Sequence, residues 1–269
     1  MLYVEYVVFA AAAFALLMPP AEEMSPQEIV KRSVAANEED WKAAPMFSYE
    51  EKDVETKGDS RTARTYEVRM IEGSPYKRLI AVGSHELTPS RQREEEQKEQ
   101  REIARRSGES QSERESRIRK YQKERAQDHL LMNEMVRAFT FRLLREEPVS
   151  GRPAYVLEAE PNPDYKPPSH EAKVLTGMRG TLWVDKAQFH WSKVEAVVFR
   201  PVSFARFIAK VEPGTQFLLE QHPVTDHIWQ PTRFTVQVVA SIMWWQRNSN
   251  SDETFSNYRL QTASASSSH

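Results

Sequence analysis

The sequence predicts an α+β protein dominated by a broad, curved antiparallel β-sheet, and three observations point that way. Along residues 233–244, Phe234, Val236, Val238, Ala240, Ile242 and Trp244 alternate with Arg233, Thr235, Gln237 and Ser241, which makes one strand face continuously apolar. Further extended runs at 180–185, 189–199, 204–211 and 216–221 flank that strand, and a sheet this wide curves. The third observation is a block at residues 91–125, dense in Glu, Arg, Lys, Gln and Ser, that breaks the strand pattern with a helical one.

The elements follow in order. Ser25 can cap free amides and Pro26 is preorganised for a first turn, so a helix is expected over residues 26–41. Ile29, Val30, Ser33, Val34 and Asn37 give it one stripe to lay across a sheet, and Pro45 ends the region. Extended runs at 46–56, 62–71 and 76–82, separated by Gly58, Asp59, Gly73, Ser74 and Pro75, predict a meander. In the charged block, Glu94 and Lys98, Glu102 and Arg106, Glu113 and Arg117, and Glu115 and Arg119 stand four apart in the favourable order. They describe a solvated helical arm, interrupted near Gly108 to give two helices or a partly disordered insertion. Residues 129–137 then predict a separate short helix burying Leu130, Leu131, Met135 and Val136. Phe139, Phe141 and Leu143 form a hairpin through Ser150 and Gly151 with Tyr155, Leu157 and Ala159. Pro161, Pro163, Pro167 and Pro168 stiffen the link to a loop or short helix at 169–178.

Composition narrows the function. The chain has 269 residues, a net charge of -2 and no cysteine, which excludes disulfides, thiolate nucleophiles and thiolate metal sites. The acids interleaved in the charged block would repel phosphate, so no nucleic-acid partner is expected. Residues 6–18 are continuously apolar and closed by Pro19, Pro20 and Ala21, a length that suits a signal-peptide core and is short for a bilayer span. The expected organisation is therefore a leader at 1–21, one β-rich domain at 22–262 with the helical insertion at about 90–127, and a disordered tail at 263–269.

Catalytic motifs are missing. There is no Gly-rich phosphate loop, no GxSxG and no HExxH, and the one local histidine cluster, His222 with Asp226 and His227, reads as a polar hairpin tip. Glu158 and Glu160 share a strand face that solvent would wet. No enzyme activity, metal or cofactor is expected. The concentrated chemistry is aromatic: Trp183, Trp191, Phe199, Phe204, Phe207, Phe217, Phe234, Trp244 and Trp245 either fill a core or line an acyl-binding groove.

The order of leader, helix, meander and then GTLWVDKAQFHWSKVEA at 180–196 resembles periplasmic lipoprotein carriers of the LolA/LolB type. More closely, it resembles the bacterial outer-membrane lipoprotein-sorting-like proteins. Their hairpin reading Leu-Trp-Val-Asp-Lys corresponds to Leu182 to Lys186, followed by Phe189 and Val194, and GRPAYVLEAEPNP at 151–163 is similar to their preceding strand. The resemblance implies a half-barrel whose concave apolar face is lidded by helices and holds lipid, with the charged helical insertion as an addition. The expected function is a non-catalytic periplasmic carrier or sensor of lipid or lipoprotein acyl chains, membrane-associated if the leader stays and without a transmembrane domain once it is cleaved. By alternation, the groove would use Leu182, Val184, Val194, Val198, Phe207, Phe217, Phe234, Val236, Val238 and Ile242. The alternative is a cell-envelope protein–protein interaction module acting through the charged arm.

Overall fold

A computed structural model describes residues 24–169, 171–203, 210–242 and 245–261. The expected leader at 1–21, the tail at 263–269, and Phe204, Phe207 and Trp244 lie outside these residues.

Helix α1 (Pro26–Ala43) starts as its sequence dictates: Ser25 Oγ accepts a hydrogen bond from the Glu28 amide, and Pro26 occupies the first turn. A 3₁₀ turn at Ala44–Met46 absorbs Pro45 and delivers the chain into the meander. That meander is β1 (Phe47–Lys57), β2 (Ser60–Ile71), β3 (Ser74–Val82) and the short β4 (His85–Glu86). The insertion follows as α2 (Pro89–Ser107) and α3 (Gln111–Ala138). The second half comprises β5 (Phe139–Val149), β6 (Arg152–Pro161), a 3₁₀ turn at Ala172–Gly177, β7 (Met178–Asp185) and β8 (Trp191–Val198). It continues with β9 (Val202–Ser203), β10 (Lys210–Val211), β11 (Gln216–Pro223), β12 (Trp229–Ile242) and β13 (Trp245–Leu260).

All these strands join one antiparallel sheet in the order β4-β3-β2-β1-β13-β12-β11-β8-β7-β6-β5, with β9 and β10 hanging from β12. The two ends do not pair with each other, so the sheet is an open, curved half-barrel and the fold is α+β. The long hairpin β12–β13 is its spine, because β1 and the whole meander attach to the other strands through β13.

Alternation decides what each face meets. Ile29 and Val30 of α1 are fully buried against Leu157, Leu182, Val184 and Trp191 on the concave face, each worth about 1.5–3 kcal/mol of apolar burial. On the opposite face Ala154, Val156 and Trp183 form a smaller cluster with Leu144 and Val149. Trp183 therefore belongs to the convex side, where its Nε1 donates to Glu147 at 2.5 Å and Lys193 lies over its ring.

The insertion differs from its expectation in two ways. First, residues 129–137 are the end of α3, which runs unbroken for 28 residues, about 42 Å. Its two halves rest on different neighbours, β3 for one and α1, β5 and the Ala172–Gly177 turn for the other, so no single apolar stripe runs along it to betray its length. Second, the arm is solvated only on its outer side. Glu102 reaches Arg106 and Glu115 reaches Arg119 as the spacing predicts. Glu113 instead closes a capping box with Ser110, and Arg117 pairs with Glu109.

The inner side grips the β2–β3 hairpin. Glu72 and Gly73 at its tip both have positive φ, and a Cβ at Gly73 would crowd the tip of the Ile118 side chain of α3 at 2.9 Å, so glycine suits both the turn and the contact. Arg106, 6% exposed, donates to the carbonyls of Ile71 and Ser74 at 2.8 Å and of Pro75 at 3.2 Å. Arg117 adds bonds to the Glu72 carbonyl at 3.0 Å and to Ser74 Oγ at 2.7 Å. Replacing Arg106 with Met keeps the volume but orphans these acceptors and should cost about 2–4 kcal/mol. Urea unfolding should show that loss, and hydrogen exchange should show α2 deprotected before the sheet.

Candidate ligand cavity

The Leu-Trp-Val-Asp-Lys hairpin is a structural joint. Asp185, 1% exposed, accepts from the amides of Ala187 (3.1 Å) and Gln188 (2.8 Å) in its own turn and holds Arg152 through two bonds of 2.8 and 3.2 Å. The Arg152 guanidinium lies over the Trp229 ring, whose other neighbour, His190, stacks at 5.2 Å. His190 Nδ1 meets Asp40 Oδ2 of α1 at 2.6 Å, while Asp40 Oδ1 accepts from the Trp229 amide at 2.8 Å. Gln230 Nε2 donates to the Asp40 carbonyl at 3.0 Å, and Trp191 Nε1 to Ser33 Oγ at the same distance. These bonds fix α1 across β8 and the start of β12. The acid and the imidazole are consumed in holding it there.

Beside α1, the sheet and α3 frame a partly open cavity of about 330 Å³. Its floor comes from small residues in register: Ala159 of β6 faces Gly180 of β7, which faces Ala196 of β8. Leu182, Val194, Phe217, Leu219 and Phe234 make the walls. Leu131, Met132 and Met135 of α3, with Val174 and Leu175 of the 3₁₀ turn, form the lid. Gly180 is required for more than space, because a Cβ there would lie 2.2 Å from the Glu195 carbonyl oxygen. The flexible thioethers of the lid can repack around an occupant, which rigid branched side chains could not do.

Leu182, Val194, Phe217 and Phe234, read from the sequence as groove residues, line this cavity. Val184 lies instead beneath α1 with Trp191, and Val198 packs with Val174, Leu175 and Ala138. Val236 and Val238 continue the Phe234 face of β12, half-buried, beyond the cavity wall. Ile242 closes β12 opposite Trp245, and Phe207 is outside the described residues. The lid methionines and the small-residue floor were not read from the sequence. Three inward positions that are small on three consecutive strands were the available signal.

Other sequence candidates are occupied elsewhere. His222 Nε2 lies 3.1 Å from Ser150 Oγ at the tip of the β11–β12 hairpin, and Glu158 pairs with Arg142 at 2.7 Å. Among the described residues no group of three or more His, Asp or Glu side chains could hold a metal ion, and no helix is long and apolar enough to cross a membrane.

Towards β1 the concave face turns acidic. Phe234 faces Glu253 of β13, which faces Asp53 of β1. Burial, then the charges of Glu51 and Asp53, raise the Glu253 carboxyl above its ordinary range, while Lys77 partly offsets them.

No protein-family model matches the sequence, and no curated protein matches it. Among solved structures, the chain is similar to the LolA superfamily protein NE2245 from Nitrosomonas europaea, with 12% identity and a TM-score of 0.33 over 89% of this chain and 94% of that one. It is similar to a domain named for outer membrane lipoprotein sorting from Vibrio parahaemolyticus, with 13% identity and a TM-score of 0.35 over 88% and 95%. A DUF1329 family protein from Desulfovibrio piger gives 14% identity and a TM-score of 0.38 over 89% and 95%.

Two outcomes are expected. Gly180→Ala should destabilise the fold by about 2–3 kcal/mol in denaturant unfolding, because the clash is with backbone that cannot rotate away. Glu253→Gln should stabilise it at pH 7. A carboxyl raised in the folded state favours folding only while protonated, so its ionised form costs stability at neutral pH and Gln removes that cost. The gain should shrink as pH falls and vanish below the ordinary glutamate value of 4.5, which thermal melts across that range would show.

Proposed function

We propose that this protein is a periplasmic carrier or sensor that takes the acyl chain of a lipid or lipoprotein into the cavity between the curved sheet and its helical lid. The observation that carries the reading is the lining. A backbone-fixed floor of Ala159, Gly180 and Ala196 leaves room, and nearly all the side chains around it are aliphatic, aromatic or thioether. Such a surface recognises apolar length. Burying ten methylenes is worth about 8 kcal/mol before the cost of association, enough for reversible capture. No covalent step is involved, and the apolar leader expected at 1–21 supports export. The interaction-module alternative is left with the outer face of the arm, since its inner face is spent on the β2–β3 hairpin.

The chain from about Glu22 onward, purified without detergent, should carry lipid detectable by native mass spectrometry near one per molecule. Ala196→Trp fills the floor and should reduce bound lipid about tenfold or more while leaving the circular dichroism spectrum unchanged. Equal lipid on both proteins would place the ligand elsewhere, and lipid-free wild type that also ignores added fatty acid would end the reading.

A further inference from the structure

A second pocket, of about 260 Å³, lies under the other half of α3. Its walls are aromatic: Tyr49 of β1 meets Phe255 edge-on at 5.9 Å and Tyr258 at 5.3 Å, and Phe47 meets Tyr258 at 6.2 Å. From α3, Tyr121 and Arg125 close the top. The Arg125 guanidinium is sandwiched, 4.3 Å from the Trp41 ring and 5.6 Å from Tyr121, and donates to the Trp41 carbonyl. It has no carboxylate partner among the described residues.

Donors are left unspent here. Tyr258 O–H is satisfied by the Pro231 carbonyl at 2.7 Å, whereas the hydroxyls of Tyr49 and Tyr121 have no hydrogen-bond partner among the described residues. Arg69, from the β2 wall, is already paired with Glu99 of α2 at 2.6 Å, so among the described residues Arg125 is the cation left for a ligand. Burial first, then Glu51 and Tyr121, push the Tyr49 phenol up, so it remains a neutral donor at physiological pH. Two acids act on Tyr49, Glu51 and Glu253; Glu51 is paired with Lys77 at 2.5 Å, and Lys77 also partly offsets Glu253, whose carboxyl burial raises.

We propose that this pocket binds a small ring-bearing carboxylate, its ring among Phe47, Tyr49, Phe255 and Tyr258 and its carboxylate bonded to Arg125 and the two free phenols. Aromatic walls favour a flat π-system over an acyl chain, and unspent O–H and N–H donors favour an anionic acceptor. The site shares no lining residue with the acyl cavity, so it stands whether or not that cavity holds lipid.

The probe is 2-naphthoate, titrated calorimetrically into the full chain, with 2-naphthamide as its uncharged counterpart. The wild type should bind naphthoate saturably and the amide about tenfold more weakly. Arg125→Gln should lose about tenfold, and Tyr49→Phe, which keeps the ring and so tests the site even if the first variant folds poorly, several-fold. Ala196→Trp, which fills the first cavity, should bind like wild type. Absence of saturable binding to wild type overturns the proposal. So does naphthoate binding that survives Arg125→Gln and Tyr49→Phe but is lost in Ala196→Trp.

Discussion

One carboxylate, Asp40, determines where everything else can sit. Its two oxygens and its carbonyl bind an imidazole from the turn just before β8, and a strand amide and a side-chain amide from β12, both distant in sequence from α1. Asp40 and His190 are almost completely buried, and burial of such groups is tolerated only because each is paired. The interaction carries directional information that apolar packing lacks. Ile29 and Val30 would tolerate α1 at several angles, whereas Asp40 admits one. At that angle α1 packs on Leu157, Leu182, Val184 and Trp191, while Ala159, Gly180 and Ala196 are left to the cavity.

Helix α3 extends this logic to the rest of the molecule. Its C-terminal half lids the acyl cavity and its N-terminal half roofs the aromatic pocket, while the corner it makes with α2 is clamped to the β2–β3 tip by Arg106 and Arg117. Movement at one end of a rigid helix is felt at the other. Trp41, stacked on His129 at 4.1 Å and lying under Arg125, is one of several contacts between α1 and α3, with Glu38 on His129 and Gln27 on the Val136 carbonyl.

Much of the architecture was legible because local rules and global fold agree. Ser25 and Pro26 start a helix, Ser150 and Gly151 turn a hairpin, and the alternation along β12 marks its face. The cavity walls at Leu182, Val194, Phe217 and Phe234 followed from the same alternation. What alternation could not supply was depth along the strand: Val184 and Val236 share that face, yet one lies beneath α1 and the other beyond the wall. The docking of the arm was hidden because a buried arginine reads as solvent-facing until its carbonyl acceptors are seen. The aromatic pocket was hidden for another reason, since Phe47 and Tyr258 become neighbours only when β1 pairs with β13.

That pairing has a kinetic side. β1 is among the first strands synthesised and β13 the last described, so the sheet can be completed only after nearly the whole chain has emerged. Contacts of such long sequence separation form late and slowly, and until they do β1 presents an unsatisfied edge able to pair with a neighbouring chain. The charges crowded along β1, Glu50, Glu51, Lys52, Asp53, Glu55 and Lys57, suit that interval, since a charged edge discourages the wrong partner while the right one is still being made.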